Sequence, residues 1–290
     1  MTNHPRLSVV VASVSSLDLL AGCLNALRPQ CQRHGAELIV ARGQTESRAE
    51  LEYRTAGCRI VATPVDANLP RVRGEGLSHA SGEWVALTED HCVADEGWLD
   101  ELMAAVRTNI HVLGGSMGNA RRVRATDCGA FFAEYGIYGG ARPMAAPVFA
   151  AANVAYHRSV VNCVVDRCVA GEWEDAIHNR LRASGRGFLL VRTARVRQNQ
   201  SHSLRAFCRN RFEHGRNYAR KRSRELSRGR RLMHLAATPA LPPLLAARIY
   251  RAVNANERHD FLRALPATLT FLGAWALGEA AGYAGHGVPQ

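Results

Sequence analysis

Glu89, Asp90 and His91 follow one another directly after the apolar run Glu83–Thr88. Carboxylate oxygens and an imidazole nitrogen at such a point are ligands for a divalent cation. Carboxylates favour Mg²⁺ or Mn²⁺, and the imidazole moves the balance toward Mn²⁺ or a later transition metal. A second acidic pair, Glu174-Asp175, opens a helical stretch that carries Arg180 and Arg182 and stops before Gly185. A carboxylate there is a group that can take part in proton transfer. The same residues have a plainer reading: Asp90 can cap the turn that follows it, and first-turn acidic residues are favoured by the helix dipole.

These groups act together only if the chain brings them together. The short β-branched runs Leu7–Ala12, Ala36–Ala41, Arg59–Thr63 and Glu83–Thr88 read as strands buried on both faces. Between them lie helical patterns such as Leu17–Leu27, with Asp18 or a preceding serine as its cap. This alternation predicts an α/β fold with a mostly parallel sheet flanked by helices. In such sheets ligands bind at the strand C-termini, where Glu89–His91 would stand. Further on, Val112–Gly115, Val148–Ala155 and Gly187–Val191 read as strands and Glu174–Ala183 as a helix. From Leu204 the pattern turns helical and basic, and after Leu232 it is apolar and punctuated by prolines.

The ordered motifs carry a family likeness. Ala80-Ser81-Gly82-Glu83-Trp84-Val85-Ala86-Leu87, then Glu89-x-His91, then Gly97-Trp98-Leu99 resembles the inverting family 2 glycosyltransferases, which have a GT-A fold. Trp98 stands seven residues after His91, as it does after the second Asp of that family's D-x-D motif. The opening strand, ending at Ser13, Val72-Arg73-Gly74-x-Gly76, and Ala151-Ala152-Asn153 through Arg158 also resemble family segments.

The likeness covers about residues 6–220 and implies a transferase that moves a sugar from a nucleotide-diphosphate donor to an acceptor hydroxyl. It implies Glu89 and His91 as metal ligands for Mg²⁺ or Mn²⁺. Ser13, Arg73, Asp90 and Asn153 become candidate donor contacts, with Arg73 suited to a phosphate. Glu174 or Asp175 is implied as the catalytic base. Counting eleven back from Gly185 selects Glu174; matching the family's Glu-Asp pair selects Asp175. There are departures. Val40–Gln44 has no carboxylate where the family reads the nucleotide base, and Gln198 or Asn199 stands near an expected histidine, for which His202 is a substitute. These also suit a non-catalytic GT-A-like scaffold that binds a nucleotide or a membrane.

The formal net charge is +12, and Arg205–Arg231 holds eleven basic residues against Glu213 and Glu225. Such a cluster attracts phosphates, in nucleic acid or in lipid headgroups. The apolar, aromatic-anchored stretches that follow favour lipid, so peripheral membrane contact through residues 205–290 is expected and nucleic acid is not. Ala264–Gly278, the longest uncharged apolar run, has 15 residues and contains Pro266, which is short for a membrane span. Eight cysteines without paired spacing, and a first segment without a signal-peptide pattern, read as a reduced, cytoplasmic chain at the inner face of the membrane. The expected division is a GT-A-like domain over 1–220 and a helical extension over 221–290. A lipid-linked or cell-envelope glycan is the acceptor that such a tail suits.

Overall fold

The computed structural model describes residues 7–43, 47–139, 149–224 and 226–285. The chain divides into two compact units: Met1–Ala120 with Arg142–Gln200, and Arg121–Ala141 with Ser201–Gln290. A segment from mid-sequence thus joins the C-terminal helices.

The first unit runs β1 (Leu7–Ser13), α1 (Leu17–His34), β2 (Glu37–Gly43), α2 (Arg48–Arg54), β3 (Arg59–Thr63), α3 (Leu69–Ser78), β4 (Trp84–Glu89), β5 (Cys92–Ala94), α4 (Trp98–Ala104) and β6 (Val112–Asn119). After α5 (Ala125–Tyr135), which belongs to the second unit, it resumes with β7 (Asn153–His157), α6 (Arg158–Val169), α7 (Glu174–Ala183) and β8 (Phe188–Gln198). The second unit continues with α8 (Leu204–Ser223), α9 (Arg228–Ala237), α10 (Leu241–Ala252) and α11 (Arg258–Ala284).

The eight strands form one sheet in the order β3-β2-β1-β4-β7-β6-β8-β5. The half built by β3, β2, β1 and β4 is parallel, as the alternating pattern requires. Beyond it β7 runs antiparallel to both β4 and β6, while β6 and β8 are parallel to each other. The sheet is thus mixed. The expected strand Val148–Ala155 is realised from Asn153 to His157, and Val148 lies outside the described residues.

Alternate residues of each strand face opposite ways. Val10, Ala12, Ile39, Ala41, Val85 and Leu87 join Val72 and Leu77 of α3 and Val160, Val161 and Val164 of α6 in one core. α1 packs against β1 and β2 through its buried Leu20, Leu24 and Leu27. Ser16 caps α1 by accepting from the Leu19 amide at 3.4 Å, so the serine rather than Asp18 is the cap. The approach of α3 to the sheet depends on Gly76, where a Cβ would stand 2.6 Å from Val10 Cγ1 and 3.0 Å from Ala41 Cβ. That close seat sets where the neighbouring Arg73 points.

In the second unit α8 and α11 touch backbone to backbone. A Cβ at Gly215 would collide with the Trp275 carbonyl, and one at Gly278 with that of Phe212. α11 is 27 residues long and continues through Pro266, so the apolar helix is much longer than its uncharged run. By length and composition it could cross a membrane. It also supplies the interior of this unit, with Phe261, Phe271, Leu272 and Tyr283 buried. All eight cysteines are free thiols.

Candidate active site

β4 delivers Glu89 to the edge of the sheet, and the turn into β5 presents Asp90 and His91. All three are buried. The ends of β1 and β4 are held in register by the Asp90 amide, which donates to the Ala12 carbonyl at 3.1 Å. Asp90 then grips the loop after β1: Oδ2 accepts from the Ser13 hydroxyl at 2.8 Å and from the Ser15 amide at 2.6 Å. Arg42, at the end of β2, donates to Ser13 Oγ and to the Ser15 carbonyl, both at 2.7 Å. Burial pushes the Asp90 carboxyl up, but its bonds from His91, the Ser15 amide and Ser13 outweigh that and hold it below the usual carboxylate range. Ser13 and Asp90, expected as donor contacts, thus spend these polar atoms on each other and on the shape of the loop. Arg42 fills the place where a nucleotide-reading carboxylate was missed; Gln44 lies outside the described residues.

Arg73 is the centre of the site. Its Nη2 and Nε donate to Glu89 Oε1 at 2.5 and 3.1 Å, and its Nη1 donates to Glu174 Oε2 at 3.0 Å. The guanidinium is buried, which alone would favour its neutral form. The two carboxylates reverse this and raise its pKa. Arg73, the residue expected to face a donor phosphate, joins the strand end that carries Glu89 to the first turn of α7. Trp173 lies beside it, 5.4 Å from ring centroid to Cζ. Asp175, next along α7, is exposed.

His91 sits between two carboxylates, with Nε2 3.5 Å from Glu89 Oε2 and Nδ1 3.5 Å from Asp90 Oδ1. Burial disfavours its charged form, but neighbouring Cys92, Asp90 and Glu89 raise its pKa well above the ordinary value. A cation would displace that proton. Ligands about 2.1 Å from an octahedral Mg²⁺ or Mn²⁺ stand roughly 3 Å apart, so Glu89 Oε2 and His91 Nε2 fit two adjacent positions. Among the described residues no group of three or more His, Cys, Asp or Glu is arranged to hold a metal.

Other expected residues lie elsewhere or do other work. Asn153 is fully buried; its Oδ1 accepts from Trp98 Nε1 at 2.8 Å, and its Nδ2 donates to the Ser116 and Ala194 carbonyls at 2.9 Å. It ties α4 to the sheet. His202 belongs to the second unit, with its ring 4.5 Å from that of Phe207. The Asn199 amide donates to the His91 carbonyl at 2.8 Å, which places the end of β8 beside His91.

One supporting residue escaped the sequence reading. His178, one turn after Glu174 on α7, is buried and meets the Tyr156 hydroxyl at 2.8 Å through Nε2. Phe149 and Phe188 close around it. Four-residue spacing from Glu174 was the available signal, but a lone histidine on an apolar face has no distinguishing mark. Burial, aided by Arg182 and Arg73 against Glu174, lowers its pKa to about 4. The folded state therefore binds fewer protons than the unfolded one, and this contribution to stability is lost as pH falls from about 6.5 toward 4. Between pH 7 and 5 the wild type is expected to lose about 2 kcal/mol more than a His178→Gln variant. Urea unfolding at the two pH values measures this; equal losses in both proteins would refute it.

A sheet with carboxylate and imidazole groups at its strand C-termini is the arrangement implied by the resemblance to family 2 glycosyltransferases, which draw on nucleotide-sugar donors. The glycosyl transferase family 2 model matches residues 8–164, more than half of the chain, and the chain belongs to that family. No curated protein matches it. Among solved structures it is similar to the mannosyltransferase PcManGT from Pyrobaculum calidifontis, solved with GDP-Man and Mn²⁺. The TM-score is 0.59 at 14% identity, over 96% of this chain and 88% of that one. Glucosyl-3-phosphoglycerate synthase from Mycobacterium tuberculosis, solved with Mn²⁺, UDP and phosphoglyceric acid, is similar over 70% of this chain and 73% of its own. There the TM-score is 0.47 at 14% identity.

Proposed function

We propose that the protein is an inverting glycosyltransferase in which Glu89 and His91 hold Mg²⁺ or Mn²⁺ and Asp175 is the catalytic base. The observation that carries this is the Arg73 bridge, which brings Glu89 and Glu174 to one guanidinium across 85 residues of chain. When bound, the cation neutralises charge on the departing diphosphate. The loop shaped by Ser13, Asp90 and Arg42 borders the donor.

The two acidic residues of α7 take different roles. Glu174 commits Oε2 to Arg73 and positions the first turn of the helix. Asp175, exposed on that turn, faces the acceptor. It takes the hydroxyl proton as the acceptor oxygen bonds to the anomeric carbon. The bond from that carbon to the diphosphate oxygen breaks on the opposite face, and its electron pair leaves with the nucleotide.

The acceptor is a lipid-linked or cell-envelope glycan, and residues 205–290 contact the inner face of the cytoplasmic membrane. The basic and apolar C-terminal unit supports both statements. A panel of nucleotide sugars tests the reading: one donor should release its nucleoside diphosphate only with Mn²⁺ or Mg²⁺ present. Calorimetric titration of Mn²⁺ with the nucleoside diphosphate should show affinity falling at least about tenfold in Glu89→Gln and in His91→Ala. Unchanged Mn²⁺ affinity in both variants would remove the assigned metal site.

A further inference from the structure

α9 contains no buried residue, yet half of it is apolar. Arg231, His234, Leu235 and Thr238 recur at helical spacing and are half-buried or buried; this face turns inward, with the His234 ring stacked on Tyr283 at 5.6 Å. The other face repeats the spacing with Gly229, Leu232, Met233, Ala236 and Ala240, all exposed. Leu232 and Met233 are 62% and 61% exposed. The strip continues onto α10 with Pro243, Leu244 and Ala247, where Leu244 is 63% exposed.

Charge surrounds this strip. Residues 220–251 include nine arginines and lysines against one acidic residue. Arg228 and Arg230 are exposed in the first turn of α9, and Arg248 and Arg251 are exposed on α10. Arginine is the wrong sign for a helix N-terminus, so the first turn of α9 is unfavourable in water and would be relieved by anions. Exposed leucine and methionine flanked by arginine are the two halves of an interfacial helix, an apolar face for acyl chains and cations for headgroup phosphates.

We propose that α9 and the start of α10 form the docking surface for an anionic phospholipid bilayer, with Leu232, Met233 and Leu244 entering the acyl boundary. Arg228 and Arg230 contact headgroup phosphates. This rests on the membrane contact proposed above and assigns it to one surface, distinct from α11, whose Phe261, Phe271 and Tyr283 are spent on the interior of the unit.

The test uses the full chain with sedimented vesicles of phosphatidylglycerol and phosphatidylcholine, and with phosphatidylcholine alone. Binding is expected only to the anionic vesicles and should weaken with salt. Arg228→Gln/Arg230→Gln and Leu232→Ser/Met233→Ser should each lower partitioning by about tenfold or more, while metal-dependent release of nucleoside diphosphate in solution stays at the wild-type level. Equal pelleting of the variants and wild type, or no preference for anionic vesicles, would overturn the proposal. So would binding of random-sequence single-stranded DNA without vesicle binding, or a dimer that the leucine–methionine variant dissociates. Loss of nucleotide release in every protein with pelleting retained would sink the catalytic reading and leave the surface standing.

Discussion

Asp175→Asn is expected to lower sugar transfer by about 10²–10⁴-fold while leaving Mn²⁺ and donor binding intact. Positioned proton acceptors contribute on that order, and the amide keeps the shape of the side chain without its basicity. Glu174→Gln should cost less in turnover, because it removes only one arm of the Arg73 bridge. Single-turnover transfer with saturating donor separates the two variants. Wild-type turnover in Asp175→Asn combined with collapse in Glu174→Gln would exchange their roles. Wild-type turnover in both would leave the reaction without its base.

The second large effect belongs to Arg73. The Arg73–Glu89 pair is almost wholly removed from water, with side chains 6% and 2% exposed. Removing one partner of such a pair leaves an uncompensated buried charge and typically costs about 3–5 kcal/mol, whereas removing both can be close to neutral. Arg73→Met should therefore be destabilised by about 3–5 kcal/mol, and Arg73→Met/Glu89→Gln should recover most of that loss. Denaturant unfolding reads both. A double variant as unstable as Arg73→Met alone would mean that Arg73 is needed for packing rather than for its charge. Neither variant should transfer sugar efficiently, since one loses the link to α7 and the other loses a proposed metal ligand as well.

The bridge matters because its three members have separate local origins. Glu89 ends a strand, Arg73 sits on a helix pressed to the sheet at Gly76, and Glu174 begins a helix that His178 and Tyr156 hold down. A shift of α7 moves both acidic candidates relative to Glu89 and His91. Distant packing residues are therefore expected to influence turnover without touching a substrate.

The sequence by itself determined the strands β1 to β4, the helix Glu174–Ala183 and the position of Glu89–His91 at a strand end. These depend on short-range patterns: β-branched runs, helical spacing, and a polar triplet where an apolar run stops. The ordered motifs carried the family. Only the tertiary structure decided which polar atoms remain for chemistry. Arg73 turns to carboxylates 16 and 101 residues away. Asn153 bonds Trp98 and two carbonyls, and Asp90 Oδ2 is taken by the loop after β1. The same holds for α5 (Ala125–Tyr135), which joins helices that begin about eighty residues later along the chain. Local pattern sets a residue's backbone and the face it lies on; its hydrogen-bond partners are chosen through space, among groups that spacing along the chain does not bring together.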